Sequence, residues 1–420
     1  MAQGLRTTAA LFAIAQQTTV GEAKDPTLPG DAVKGEFALP QPSPETEQTN
    51  EVLGTLSRSV SIVGGIQMQV SPSVLLRGAA APGAAPNWDK LALMSGLARD
   101  DVRQDIAVTA DFAGSGMAAA TGDVSALTQG TVVYIAGETA NGGEYIATDD
   151  STAGERSFAR LDGTAANFAS ETDVSVTLRF GVAGVATVTD APAGAMPRLE
   201  MDSAWTDSVS LRDGLPIVVS GGGLAKPWQT VISAHEGSRV IEVGGTLSTP
   251  LATGARVSVR PCVRYRPREI TDDFPYFTFD GYYDGVLLRL KDCQATLEVT
   301  AEAKKVPRAS ITISGRFVDE AAAAVPAVAF DSTDPGTFRD SAMEVDGAKV
   351  ALNQMTLSLG NQVSFDDDPN DVEGFEAPCI TQRTVAGSLN PKKGKTVTES
   401  RLRQLRQGGR HLISARVEGG

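Results

Sequence analysis

Histidine, cysteine and aromatic residues are scarce in this chain of 420 residues. His235 and His411 are its only histidines, and neither has a second ligand at the spacing of a zinc motif. The three cysteines, Cys262, Cys293 and Cys379, are too few for a disulfide framework, and we expect core thiols in a reducing cytoplasm. No Gly-x-Ser-x-Gly nucleophile motif occurs. We therefore predict no enzymatic activity, no metal and no cofactor.

Long apolar runs are also absent. No stretch reaches the roughly 18 apolar residues of a membrane-spanning helix, so membrane insertion is not expected. The run Ala9–Ala15 imitates the apolar part of a secretory signal, but only Arg6 precedes it as a basic residue. An N-terminal strand is the better interpretation.

Two short motifs resemble ligand sites but lack an essential residue. Gly394-Lys395-Thr396 resembles the end of a phosphate-binding loop, yet Leu389 occupies the position of the leading glycine. The acidic run Asp366–Asp371 suggests a calcium loop, but the glycine at the sixth position is missing. An exposed acidic loop is the better interpretation of the second motif.

The formal net charge is −14. This acidity disfavours tight binding of nucleic acid, because phosphate neutralisation needs clustered lysine and arginine. It is compatible with a like-charged wall past which DNA moves without adhering.

Composition and periodicity predict a mainly β protein with one or two short helices. Only 5% of the residues are aromatic and 43 are glycine, a mix that favours short strands and tight turns. Asn87 is predicted to cap a short helix that carries Leu91 to Leu97, and a late helix is predicted over Thr398–Gln407. Further strands are expected over 350–363 and 379–389.

A hairpin is predicted over residues 293–316. Leu297, Val299 and Ala301 alternate with polar residues and should share one face. Glu298 and Glu302 belong to the other face, for which an exposed outer surface is the simplest interpretation.

Residues 105–262 contain an internal repeat. The segments 123–135, 158–163 and 174–178 align with 207–219, 240–245 and 257–261 at an offset of 82 to 84 residues. Each copy is predicted to be a small β-barrel or sandwich of about five strands. We divide the chain into a discontinuous core, 1–104 and 263–420, with inserted modules at 105–190 and 191–262. Residues 21–50, rich in proline, glycine and glutamate, are predicted to be an extended arm that docks elsewhere.

Two groups of charges are candidate contacts between subunits or stacked rings. The acidic loop comprises Asp366, Asp367, Asp368, Asp371, Glu373 and Glu376. The basic stretch comprises Lys392, Lys393, Lys395, Arg401, Arg403, Arg406 and Arg410. The two groups either meet across a boundary between copies or are solvated independently.

Short motifs at both ends of the chain resemble the tail-tube (major tail) proteins of long, non-contractile-tailed bacteriophages. They are Leu5-Arg-Thr-Thr8, Gln16-Gln-Thr-Thr-Val-Gly21, Pro44-Glu-Thr-Glu47, Tyr283-Asp-Gly-Val-Leu-Leu288, Lys305-Val-Pro-Arg308, Ile313-Ser-Gly-Arg-Phe317 and Leu357-Ser-Leu-Gly-Asn-Gln-Val363. The resemblance covers about 1–104 and 263–420, and the order of the motifs carries more weight than any one of them.

The resemblance implies a β-sandwich core that is completed across subunits into a barrel around a lumen. If the hairpin over 293–316 belongs to the inner wall, Glu298 and Glu302 are candidates for the lining of this lumen. Rings of this kind, usually hexameric, stack around a tape-measure protein and join tail-end or head-proximal proteins in the virion tail after assembly in the host cytoplasm. Family members continue beyond the late helix with further strands, whereas this sequence ends at Gly420. A minor or tail-end ring protein with the same core is one alternative. A carbohydrate-binding adhesion protein is another, with Tyr134, Tyr145, Trp205 and Trp228 as its aromatic residues.

Overall fold

The computed structural model describes residues 10–38, 43–48, 61–150, 154–181, 185–195, 197–202, 213–236, 239–269, 273–330, 333–339, 343–345, 348–371, 374–391 and 413–414. In the part of the chain that the structure describes, the protein is mainly β, with 55% of residues in strands and 2% in helix. This confirms the predicted fold class.

The elements of the first 102 residues are β1 (Ala10–Gln16), β2 (Ala32–Val33), β3 (Gly35–Glu36), β4 (Ser43–Gln48), β5 (Ser61–Val70), β6 (Ser73–Leu75), α1 (Asp89–Met94) and β7 (Leu97–Val102). A first group of inserted strands follows: β8 (Gln104–Gly114), β9 (Gly116–Thr121), β10 (Val132–Gly137), β11 (Gly143–Ala147), β12 (Glu155–Arg160) and β13 (Phe168–Phe180). The second inserted group is β14 (Val185–Asp190), β15 (Gly194–Ala195), β16 (Arg198–Met201), β17 (Pro216–Ser220), β18 (Trp228–Glu236), β19 (Val240–Val243), β20 (Thr246–Leu247) and β21 (Arg256–Val259). The remainder comprises β22 (Cys262–Pro267), β23 (Phe277–Tyr283), β24 (Val286–Glu302), β25 (Arg308–Ala322), β26 (Glu344–Val345), β27 (Ala348–Lys349), β28 (Leu352–Ser358), β29 (Asn361–Ser364), β30 (Cys379–Arg383), β31 (Ala386–Pro391) and β32 (Ile413–Ser414).

A long hairpin, β24 and β25, organises the core sheet. One edge of β24 pairs with β25 along most of its length. The other edge pairs with β23 over residues 286–293 and with β28 over residues 298–302. The sheet therefore forks between Cys293 and Glu298. One lobe continues through β23 to β1 and β2, and the other through β28 to β31.

The predicted alternation of the hairpin is confirmed. Leu297 and Ala301 are buried, whereas Glu298 is exposed. The strands are longer than the sequence pattern indicated, and only residues 303–307 form the connection. The expected strands at 350–363 and 379–389 are each divided in two. The first break lies at Gly360, whose φ of +57° and close approach to the Thr384 carbonyl oxygen suit only glycine.

Aromatic side chains from distant segments meet in the core. The rings of Phe12 and Phe279 stack with centroids 5.8 Å apart, and Phe37 meets both edge-on. Each fully buried ring contributes on the order of 2 kcal/mol through its apolar area. Residues 10–16 thus form the N-terminal strand that the sequence predicted.

The predicted arm at 21–50 is wrong for the part that the structure describes. The short strands β2 and β3 pair with β1 and β6, and β4 pairs with β5. Val33 is buried in the core of the same chain, and Phe37 packs against it. Strand pairing and the apolar side chains of Val33 and Phe37 therefore attach the segment to its own chain, despite its polar composition.

Helix α1 is shorter than expected, and Asn87 does not cap it. The N-cap position is Trp88, with no side-chain capping bond. The Asn87 amide instead accepts from the Lys34 backbone N–H at 2.9 Å and donates to the Ala32 carbonyl at 3.0 Å. The side chain of Asn87 therefore bonds to the backbone of a distant segment rather than to the first turn of the helix. Leu97 lies on β7 rather than on the helix. The late helix predicted over Thr398–Gln407 lies outside the described residues.

The two inserted modules are closed barrels with the same topology. The first runs β8-β9-β12-β11-β10-β13 around its circumference, and the second runs β14-β16-β19-β18-β17-β21. Matched in chain order, the two sequences of pairings are identical, which supports the internal repeat read from the sequence.

Two details of the predicted modules need correction. Each barrel has six strands rather than about five. The predicted boundary at 190/191 assigns β14 to the first module, whereas β14 closes the second barrel by pairing with β16 and β21. The division therefore lies between Phe180 and Val185. The ribbon of β7 and β22 joins the modules to the core.

The barrels pack closely against each other. Val132, Ile146 and Val218 form a small apolar cluster between them. Arg260 bonds Glu144 across the junction, with its Nη2 2.5 Å from the carboxylate. Gly181 follows β13 at the tightest point, where an added Cβ would lie 2.1 Å from the Val259 carbonyl oxygen.

Gly181→Ala should destabilise the protein by about 1–3 kcal/mol, because the methyl group must displace backbone of the second barrel. The control is Gly78→Ala, where an added Cβ meets nothing within 4 Å. Thermal denaturation of both variants provides the measurement. Equal melting temperatures would contradict the close approach.

Candidate assembly surfaces

The acidic loop follows β29, and its described members differ in their surroundings. Asp366 and Asp367 are exposed. Asp368 accepts from the backbone and side-chain nitrogens of Asn370, each at 2.9 Å. Glu373, Arg401, Arg403 and Arg406 lie outside the described residues, as does the rest of the basic stretch, so the proposed contact between acidic and basic groups stays a prediction.

Asp371 has an intramolecular partner that the sequence did not indicate. Its Oδ2 lies 2.5 Å from Nη1 of Arg316. The same guanidinium makes two bonds to Oδ2 of Asp292, at 2.9 Å from Nε and 2.6 Å from Nη2. Asp292 also accepts from the Gly21 N–H at 2.7 Å. The pair therefore joins β24, β25, the loop at residue 21 and the acidic loop.

This ion pair is deeply buried. Asp292 is 0% and Arg316 5% exposed at the side chain. Desolvation opposes the charge on Arg316, but the bonds and charges of Asp292 and Asp371 outweigh it and raise the pKa of the guanidinium. Asp292 also has a φ of +53° at an irregularity of the hairpin, a conformation that aspartate tolerates better than most residues. Gly21 and Arg316 belong to two of the short sequence motifs, which the fold brings together here.

A cavity of about 610 Å³ lies beside this ion pair, close to the fork of the sheet. Its lining includes Gln17, Val20, Tyr276, Gln294, Cys379 and Ile380. Burial, followed by nearby acidic groups, raises the pKa of both the Tyr276 hydroxyl and the Cys379 thiol. No pattern in the sequence indicates this cavity, because its walls come from four separated segments.

The second lobe of the core sheet has one polar and one apolar face. Glu298, the lumen candidate, is exposed on the polar face, where Thr356 and Ser388 bond across strands at 2.6 Å. Glu302 lies on the same face and pairs with Lys305 at 2.5 Å. The structure thus places both predicted residues together on a polar surface.

The apolar face borders an open groove of about 330 Å³. Leu91 of α1, together with Leu297 and Ile311 of the hairpin, lies in its wall. Leu357 and Val385 also line it and are 46% and 55% exposed. Next to them, β31 pairs only with β28 among the described residues. A strand edge and exposed apolar side chains therefore occur together.

The aromatic residues considered for carbohydrate binding do not form an exposed platform in the described part of the modules. Tyr145 packs within the first barrel, 5.0 Å from the ring centroid of Phe168. Trp228 packs against the core of the second barrel, and Tyr134 is half-buried. Trp205 lies outside the described residues. His235 is exposed and lies 3.0 Å from Asp213.

Other kinds of site are not found in the residues that the structure describes. They contain no group of three or more side chains suited to hold a metal ion. None of their helices is long and apolar enough to cross a membrane. Comparison with models of protein families, with curated proteins and with solved structures finds no significant match. Function is therefore inferred from the residues and geometry of this chain.

Arg316→Met should destabilise the protein by about 3–5 kcal/mol, because it leaves the Asp292 carboxylate buried without its ionic partner. Asp371→Asn, at a side chain that is 28% exposed, should cost only about 1 kcal/mol. Urea denaturation of both variants measures the difference. Similar losses would show that the buried pair is not the central contact.

Proposed function

We propose that this chain is a structural subunit that assembles with copies of itself into stacked rings, as the tube of a bacteriophage tail. The observation that carries the proposal is the edge of β31 next to the exposed side chains of Leu357 and Val385. An edge strand offers a row of backbone donors and acceptors, and a second strand satisfies them. Closure by rotational symmetry removes such an edge and fixes the number of copies.

The contrast between core and modules supports this assignment. In both barrels the sheet closes on itself, so the barrel strands leave no edge for pairing with another copy. Within the described residues, the core sheet is open at β31. Assembly through the core would leave the barrels on the outer wall, where a lumen does not restrict their size.

The polar face of the second lobe is the proposed lumen wall. It carries Glu298 and Glu302 among serine and threonine residues. Acidic and hydroxyl groups bind phosphate weakly, so DNA would pass along such a wall without adhering. Under this proposal the other partners are a tape-measure protein and the proteins at the two ends of the tail.

The acidic loop, with Asp366 and Asp367 exposed, is proposed as a contact between rings, and the basic stretch is its complement. Such contacts fix register and orientation more than they add affinity. The short motifs that resemble tail-tube proteins support the same assignment.

Electron microscopy of the purified protein over a range of concentrations tests the proposal directly. Long hollow filaments are expected. Isolated rings would favour a tail-end ring with the same core. A chain that remains monomeric at the highest soluble concentration would overturn the proposal.

Val385→Lys should weaken assembly while leaving the isolated chain within about 0.5 kcal/mol of its original stability, because the side chain is exposed. The control is Val318→Lys, at a residue that is 39% exposed and does not line the groove. Sedimentation velocity measures assembly and thermal denaturation measures stability. If Val385→Lys assembles as readily as the control, the β31 surface is not the interface.

A further inference from the structure

The core sheet has two long strands at opposite ends. Its strands pair in the order β31-β28-β24-β25-β5-β4, and every neighbouring pair is antiparallel. Among the described strands, β31 and β4 each have one neighbour, and each is six residues long. The other described ends of this sheet, β2 and β3, are two residues long. Of these ends, β31 and β4 are therefore the ones long enough to add a further strand.

The backbone of β31 directs alternate residues toward its free edge. The Leu359 N–H donates to the Leu297 carbonyl, in register with the pairing of β28 and β24. The odd-numbered residues of β28 therefore bond to β24, and its even-numbered residues bond to β31 through residues such as Ser388. Gly387 and Leu389, which alternate with Ser388, direct their N–H and C=O groups away from β28.

The free edge of β4 follows from the same alternation at the other end of the sheet. The Ile311 N–H donates to the Pro72 carbonyl, so the odd-numbered residues of β25 bond toward β6 and β5. Carried across β5, this pattern makes Glu45 bond to β5 and leaves Pro44 and Thr46 facing the free edge. Proline has no N–H and within sheets is confined to such positions, so the sequence of β4 agrees with this orientation.

The directions of the two strands suit a pairing between copies related by rotation. In a run of six antiparallel strands the first and the last run in opposite directions. Rotation about a ring axis keeps the sense of each strand along that axis, so β31 of one copy would meet β4 of the next in an antiparallel pair. Pairing of β31 with β31 about a two-fold axis would join two copies and leave both β4 edges open.

The positions of the two edges along the strands also suit a closed sheet. Through the strand pairings, Gly387 lies in the same row as Ala309, and Ser43 lies in the row of Arg316. Barrel strands tilt by about 35–45°, so closure across six strands about 4.8 Å apart shifts the pairing by roughly six to nine residues. The shift from Ala309 to Arg316 has this size. Rotation alone would therefore bring Gly387 to the start of β4 on the next copy.

We propose that the free edge of β31 pairs with the free edge of β4 on a second copy of this chain, so that one sheet continues from subunit to subunit. This rests on the proposed self-assembly and names the strand that joins β31. The contact consists of antiparallel backbone bonds around Gly387, which pairs with Pro44 or Thr46.

Disulfide formation between copies tests this pairing. The double variants Glu45→Cys/Ser388→Cys and Glu45→Cys/Ala386→Cys place two thiols opposite each other in the two registers named above. Within one chain the two positions are separated by four strands, far beyond the Cα distance of about 7 Å that a disulfide can span, so any bond between them joins two copies. After oxidation of the assembled protein, one of the two variants should give a ladder of covalent oligomers on a non-reducing gel.

The controls are the three single variants, which retain the native cysteines and should give no ladder. If the protein assembles and neither double variant forms a ladder, this inference is overturned and the proposed function stands. A covalent dimer of Ser388→Cys alone would show that β31 pairs with itself and would also overturn the inference. Failure of the wild-type chain to assemble would overturn the proposed function itself.

Gly387→Pro gives a second measurement without cysteines. It removes an N–H that faces the free edge, so the isolated variant should melt close to the wild-type chain. Its critical concentration for assembly should rise at least about tenfold, because a donor is lost and the proline ring occupies the edge. The matched control is Ser388→Pro, which removes an N–H directed at β28 and should lower the melting temperature. Assembly of Gly387→Pro at the wild-type concentration would contradict the pairing.

Discussion

The buried pair between Asp292 and Arg316 is the contact on which the core depends. It lies where the long hairpin is irregular, and it fixes the turn at Gly21 and the acidic loop to the same point. Removal of charge from water is costly, so such a pair is stable only when several further bonds satisfy it. The core sheet can therefore bend and fork at this position without losing a unique arrangement.

The fork lies between the cavity that Gln294 lines and the apolar groove that Leu297 lines. One edge of β24 passes from β23 to β28 and leaves residues 294–297 between the two lobes. Backbone groups in this gap need other partners: the Leu359 N–H donates to the Leu297 carbonyl, and the Asn361 side-chain amide donates to the Ala295 carbonyl. The loops cannot fill the space completely. A cavity whose lining includes Gln17 and Gln294 remains on one side, and an apolar groove remains beside α1.

Local patterns in the sequence predicted the local structure well. Alternation along 297–302 correctly separated the buried from the exposed face, and the spacing of the repeat correctly indicated two similar modules. The predictions were wrong where contacts between distant segments determine the local structure. Asn87 was expected to cap a helix but bonds to a strand 55 residues away. The segment around Val33 and Phe37 looked like a free arm because its few apolar residues gave no periodicity. The cavity at Gln17 was not predictable, since no local pattern marks a polar residue whose partners are missing.

The inserted barrels and the core sheet differ in whether their strands have free edges. A closed barrel satisfies its own backbone, so the described strands of the two barrels have no free edge to pair with another copy. As far as the structure describes the core, β31 keeps a free edge and exposed apolar side chains lie beside it. An isolated chain with this arrangement risks indiscriminate pairing, and a geometry that closes into a ring limits that risk. The modules connect to the core through the single ribbon of β7 and β22, with further contacts from Arg103 and Arg179 to the loop at 82–83. Because these attachments lie on different strands from β31, the barrels can be present without altering the edge that we propose for association.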